Sequence, residues 1–271
     1  MPEKVNHGKL EVVPSYNEKQ HLLDAIDEAR IFLQEELADI DAIPNRTHQL
    51  ICIFSLIDCL AQEQANYPDN FKSAFCQFVL KHQKQCDYLE AIEPITLFYR
   101  VEEDIDTVVK CPNAPPEKEV TLDELGCLYG ERVKTLLDTG KADEIISYIK
   151  KKHGDDKATR LAREHQLIYL LYRMRNKAVH EMSGLGEVWN KENKRLKLSE
   201  PFYRAVGRHY VENGELVSYN AIELVIPNIF VRNILADCIE GYLKDCKTMK
   251  RLPFSNNDWL TRKMTLSWYD K

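Results

Sequence analysis

The sequence predicts a mainly α-helical bundle carrying one β-hairpin near residues 202–226. Three observations predict it. Apolar residues recur every three or four positions over most of the chain, the period of a helix with one buried face. Runs rich in Val, Tyr and Ile occur together in one place only, on either side of Asn213-Gly214, a strong hairpin signal. The stretch from Lys157 to about Met182 contains neither Gly nor Pro. A chain of 271 residues with 44% hydrophobic residues has enough apolar material for a real core.

The elements follow in order. Ser15 and Glu18 have capping-box spacing, and Leu22, Ile26, Ala29, Leu33 and Leu37 behind them predict an amphipathic helix ending near Asp39. Pro44 opens a second helix to about Gln64, with Ile51, Phe54, Ile57, Leu60 and Ala61 inward. Tyr67-Pro68-Asp69 breaks the chain before a third helix with Phe71, Phe75, Phe78 and Val79 at core spacing. From Glu93 to Pro116 four prolines and several acids predict an irregular crossing. Shorter helices are expected from Thr121 to Leu137 and over roughly Ala142–Lys152, the latter ended by Gly154. The long run Lys157–Met182 reads as one helix. Strands are expected at Tyr203–Val211 and Leu216–Ile226, and Pro227 starts a last helix that closes before Pro253. The tail from Phe254 is short and aromatic. No linker separates two self-sufficient cores, so residues 1–271 read as a single domain with insertions at about 93–156 and 183–226.

Several function classes are excluded. Met1–Leu10 lacks an apolar run and a small-residue cleavage site, so no secretory signal is expected. The most apolar stretch, Leu50–Ala61, is too short to span a bilayer and carries Asp58. The eight cysteines are scattered without a CxxC pair or paired Cys/His spacing. Reduced thiols in a soluble cytoplasmic protein, with no metal and no cofactor, are the expectation. The net charge of -6 argues against a nonspecific nucleic-acid coat. Charge is uneven, however: between Lys141 and His180 ten bases face five acids, a local excess of +5. A solvated helix face accounts for such a run by itself. Its interest is that it leads into the one chemical motif of the chain.

That motif is Arg175-Asn176-Lys177-Ala178-Val179-His180-Glu181. RNA cleaves itself when a 2′-hydroxyl attacks the adjacent phosphorus. The reaction needs a proton carrier and relief of charge on the phosphorane. His exchanges protons near neutral pH, and Arg offers a permanently charged fork matched to phosphate oxygens. Asn donates to a phosphate or holds the His ring in one tautomer. At about 100° per residue, Asn176 and His180 share a face while Arg175 lies roughly 140° from His180. A symmetric pair of such helices would bring two Arg and two His into one cleft, which points to a homodimer with a composite site.

The string Arg175-Asn176-x-x-x-His180, late in a helical bundle, resembles the signature of the HEPN superfamily: an Arg, a polar residue, then a His after four to six intervening positions. The superfamily includes toxin ribonucleases, antiphage abortive-infection proteins and nuclease modules of CRISPR effectors. The resemblance implies a HEPN-like helical bundle with an inserted β-hairpin, and a homodimer whose two motifs face each other. It also implies metal-independent endoribonuclease activity leaving a 2′,3′-cyclic phosphate, with Arg175 and His180 catalytic and Asn176 orienting them. RNA is the expected partner, with an antitoxin or a defence complex as a further one. A non-catalytic HEPN module that binds RNA or protein is the alternative. The resemblance covers the segments Asn17–Gln83, Lys157–Met182 and Pro227–Met249 and leaves the insertions unexplained. Toxins paired with a nucleotidyltransferase antitoxin often carry Tyr two positions after the His, where this chain has Met182.

Around the motif, Arg173, Lys177, His165 and Arg163 are candidates for RNA contact, and Arg173 is the reserve for the motif Arg, six residues separating it from His180. A polar surface His is the plainer reading of His165. Asp58 interrupts an apolar face and either reaches the same cleft or stands capped or solvated. Tyr203, His209 and Tyr219 of the hairpin either stack on bases or pack across strands.

Overall fold

The computed structural model describes residues 18–66, 70–84, 86–106, 137–138, 140–181, 199–212 and 215–255. They form helices α1 (Glu18–Ala42), α2 (Arg46–Gln64), α3 (Phe71–His82), α4 (Pro94–Asp106), α5 (Lys141–His153), α6 (Asp155–Glu164), α7 (Leu167–Glu181) and α8 (Asn228–Met249), with strands β1 (Phe202–Glu212) and β2 (Glu215–Val225) before α8. The mainly helical expectation holds, with one antiparallel strand pair. Among the described residues no helix is long and apolar enough to cross a membrane.

Helices α1, α2, α3, α7 and α8 share the largest core. Leu33, Ile53, Ile57, Leu60, Val79, Leu235 and Leu243 are fully enclosed in it. α7 shows why. Leu167, Ile168, Leu171, Met174 and Ala178 recur at helical spacing and are buried, so one face of the helix must turn inward. Arg173, Lys177 and His180 are left exposed on the other side, and Tyr172, Arg175 and Asn176 are half-buried on a flank. That flank meets α2 and α3.

A second cluster joins α4, α5 and α6 through Leu97, Phe98, Val101, Ile145, Ile149, Ala158 and Leu161. The hairpin pairs in full register from Phe202↔Val225 to Glu212↔Glu215. It packs on α4 through Ile95, Tyr203 and Ile222. The turn at Asn213-Gly214 lies outside the described residues, as do the expected helix over 121–136, the Tyr67–Asp69 break, Ser15, Met182 and the tail tryptophans.

Three expectations are corrected. Lys157–Met182 is not one helix. It divides at His165–Gln166, because the chain there pairs with a distant segment: the His165 carbonyl accepts from the Glu93 amide at 2.8 Å, Leu167 N donates to Ala91 O at 3.1 Å, and Ile168 N donates to Leu89 O at 2.8 Å. Backbone groups that would have bonded within a helix are satisfied across the gap instead. The first half also starts earlier, at Asp155 after Gly154 in a left-sided backbone conformation (φ 88).

The second correction concerns the irregular crossing, whose first part is the helix α4. Pro94 sits at the first helical position, where it has no amide to waste. The Glu93 carboxylate accepts from Ile95 N at 2.9 Å and Thr96 N at 2.7 Å, closing two otherwise open donors. The remainder, through Pro116, lies outside the described residues. Asn45 and Asn70 cap α2 and α3 in the same way, through His48 N and Ser73 N. The Asn70 cap makes Phe71 the first helical residue of α3. It is 52% exposed and not the core residue its spacing predicted, because the helix end carries it past the bundle.

Candidate active site

The flank of α7 opens on a cleft of about 520 Å³ lined by Gln62, Phe71, Tyr172, Arg175, Asn176 and His180. The three motif residues are therefore brought together, with α2 and α3 forming the facing walls. Helix position alone places Arg175 away from His180, yet its Nη1 lies 2.8 Å from His180 Nε2. The Arg175 side chain is long enough to span the angle between the two positions. The expected separation of the two groups does not exist within one chain, so this distance supplies no requirement for a second copy.

The contact fixes roles. A guanidinium has donors and no acceptor, so Nε2 of His180 accepts and holds its lone pair toward Arg175. The same Nη1 donates to Asn176 Oδ1 at 3.0 Å. Asn176 thus braces the Arg, not the His ring as one reading of the motif had it. On its other edge the guanidinium grips Asp58 of α2: Nε donates to Oδ2 at 2.6 Å, and Nη2 lies 2.5 Å from the same oxygen. Tyr172 lies under it, the ring centroid 5.8 Å from Cζ. Four side chains from two helices hold one cation in place.

The Asp58 side chain is 12% exposed and that of Arg175 15%. Burial pushes the Asp58 carboxyl above its ordinary value of 3.8. It outweighs the lowering pull of the Arg175 hydrogen bond and of the charges on Arg175 and His180. An ion pair in which desolvation wins adds little to folding, and its retention is better understood through what it orients. Asp58 is neither capped nor solvated; it is the anchor of the motif Arg. Sequence reading had no means to pair them across 117 positions.

The other candidates fall elsewhere. Arg173 and Lys177 are exposed and do not line the cleft. Between Arg173 and Arg175, it is Arg175 that touches His180. His165 is 2% exposed, not a surface His, and its Nδ1 lies 2.8 Å from the Leu161 carbonyl at the end of α6. Burial pushes its pKa down. Arg163 is exposed near the far end of α7, its Nε donating to Tyr169 Oη at 2.8 Å. Tyr203 is fully enclosed, its hydroxyl donating to Glu93 Oε1 at 2.6 Å, so it packs and does not stack on a base. His209 and Tyr219 occupy paired strand positions, and their side chains lie outside the described residues.

Cys52, Cys59, Cys76, Cys86, Cys238 and Cys246 are free thiols. Among the described residues no group of three or more His, Cys, Asp or Glu side chains is placed to hold a metal ion. Gln62, Phe71 and Tyr172 were missed by sequence reading. Tyr172 carried a signal, standing four residues before Asn176 on the same face, whereas Gln62 becomes a wall only through the packing of α2 on α7.

No family model, curated protein or solved structure matches this chain.

Proposed function

We propose that this chain is a metal-independent endoribonuclease of the HEPN kind, a toxin or antiphage-defence effector, cutting RNA by 2′-hydroxyl attack. The observation that carries the reading is the 2.8 Å approach of Arg175 Nη1 to His180 Nε2 on an open cleft. A scissile phosphate entering there competes for the guanidinium, which matches its oxygens better than an imidazole does. The lone pair of His180 Nε2 is then released beside the substrate. His180 takes the 2′-hydroxyl proton, the oxygen attacks phosphorus, and the bond to the 5′-oxygen breaks with that oxygen gaining a proton. The products are a 2′,3′-cyclic phosphate and a 5′-hydroxyl. Arg175 offsets the charge of the phosphorane, where a pre-placed cation is most effective. Asn176 and Asp58 are positioning residues that keep the fork aimed.

One cleft holds one such His. A second acid for the leaving oxygen is supplied in this reading by His180 of another copy, which makes the active species a homodimer. The test is product chemistry. RNA cut by the purified chain should end in 2′,3′-cyclic phosphate and 5′-hydroxyl, and one 2′-deoxynucleotide at a mapped cleavage site should block cutting there. Ends bearing a 5′-phosphate, or cutting at the deoxynucleotide, would overturn the mechanism.

A second reading has a specific observation in its favour. With Nε2 engaged by Arg175, the His is occupied, as suits a non-catalytic module that binds RNA or a protein partner. RNA binding with no cleavage, unchanged by His180→Ala, would select it.

A further inference from the structure

One turn of α7 before Tyr172, a lining residue of the cleft, stands Tyr169. Tyr169 and Tyr172 stand three residues apart on the flank that leads to Arg175, and about 9 Å of helix axis separate Tyr169 from Arg175. At the Tyr169 end sit two cations from different elements. Lys72 Nζ lies 4.5 Å from the Tyr169 ring centroid, and Arg163 Cζ lies 5.5 Å from the same centroid. Arg163 is tied in place by its bond to the Tyr169 hydroxyl. Phe71, the chain neighbour of Lys72, is 52% exposed and lines the cleft together with Arg175. Its place is not accidental fraying: the Asn70 side chain accepts from Ser73 N at 3.0 Å and fixes the first turn of α3 around it. A half-exposed aromatic that shares a cleft with one cation and adjoins another in the chain suits a ligand that alternates flat apolar rings with anions.

We infer that Phe71 is a stacking platform for one unpaired nucleobase, and that Lys72 with Arg163 holds a phosphate further along the same strand. The cleft thereby selects single-stranded polynucleotide. This rests on the proposed nuclease reading for the strand's direction of use, since it puts the scissile phosphate at Arg175. Aromatic platforms beside cations bind any base, because every base has a π-face, whereas a paired base keeps its faces inside the duplex. The geometry therefore gives preference for unpaired strand without fixing a sequence.

Binding and cutting are separable experimentally. A fluorescent 2′-O-methyl oligoadenylate cannot be cut by 2′-hydroxyl attack, so its Kd for the full chain reads binding alone. Phe71→Ala should weaken binding about tenfold, the loss of one stacked base. Phe71→Trp should keep or tighten it. Lys72→Ala should weaken binding and reduce the slope of log Kd against log salt by about one phosphate contact. A duplex of the same backbone should bind weakly and ignore Phe71→Ala. The exposed site predicts unchanged melting for all three variants. The inference is overturned if the parent chain does not bind the oligomer, if Phe71→Ala leaves its Kd unchanged, or if that variant weakens single strand and duplex alike. It is also overturned if Phe71→Ala dissolves self-association while leaving oligomer binding intact, which would make Phe71 a contact between copies. Failure of the nuclease reading looks different: the oligomer binds through Phe71, and natural RNA is left whole.

Discussion

Glu93 and Asp58 are both carboxylates removed from water, and they are used in opposite ways. Glu93 is fully enclosed, and its partners are two backbone amides of α4 and the hydroxyl of Tyr203. Every one of them belongs to the scaffold, and together they fasten the start of α4 to strand β1. Asp58 has as its chief partner a guanidinium whose remaining nitrogen, Nη1, faces Asn176 and His180 at the edge of an open cleft. A closed set of hydrogen bonds is a rivet. A set that ends at solvent, on a base and a cation that a ligand can reach, has chemistry left to offer. The comparison also separates the two histidines of the α6–α7 segment. His165 is enclosed with its Nδ1 directed at a backbone carbonyl, and His180 is exposed with its Nε2 directed at Arg175.

Substitutions at the two carboxylates and around them should therefore divide into losses of activity and losses of stability. Arg175→Ala should reduce RNA cutting more than either carboxylate substitution, about a thousandfold, the scale for removing a pre-placed transition-state donor. Arg175→Lys should recover little, since a point charge does not reproduce the fork. Initial rates on a labelled RNA read both.

Asp58→Asn should cut activity less, about tenfold, with its effect in kcat and not in KM, because the residue aims Arg175 without touching substrate. Its stability signature is distinctive. A carboxyl whose folded pKa is raised favours folding while protonated, and that contribution is lost as pH rises through the raised value. The parent should therefore gain stability relative to Asp58→Asn as pH falls from neutral toward 3.8, measured by urea unfolding across that range. A relative loss on acidification would mean that the ion pair itself stabilises the fold, and the contrast between the two carboxylates would collapse.

Glu93→Gln should do the reverse. It weakens charge-assisted bonds to two amides and a hydroxyl, at a cost of about 2 kcal/mol in unfolding free energy. The specific cutting rate of the folded fraction should not change. The smallest effect belongs to His165. Burial lowers its pKa from 6.5, so the folded state resists protonation, and the stability it contributes is lost as pH falls through that ordinary value. His165→Gln should flatten the decline in melting temperature between neutral pH and mildly acidic pH, with little change in cutting rate.

Local pattern made much of this legible. The core faces of α1, α2, α5 and α8 follow the helical period of their own residues, and the hairpin follows from Asn-Gly between β-branched and aromatic runs. Asn176 and His180 are near neighbours on one helix, so their meeting was also local. What escaped depends on distance along the chain. The break at His165–Gln166 has no Gly or Pro to announce it and exists because residues 89–93 come alongside. Pro94 looks like a breaker until Glu93 is seen capping the helix behind it. Asp58 could be noticed as a charge within an apolar face, but its partner is set by how α2 packs on α7. Phe71 has core spacing and loses its core place only because α3 begins there. The reach of Arg175 toward His180 escaped for another reason: angles between Cα positions ignore a side chain long enough to cross them.

The measurement that tests the central claim most directly compares the parent chain with His180→Ala on natural RNA in excess chelator, with melting and self-association checked in parallel. The account predicts that the parent cuts without added metal. It predicts that the variant folds and associates as the parent does and cuts at least about a thousandfold more slowly. Undiminished cutting by the variant, or cutting by the parent that stops with chelator and returns with a divalent ion, would contradict it.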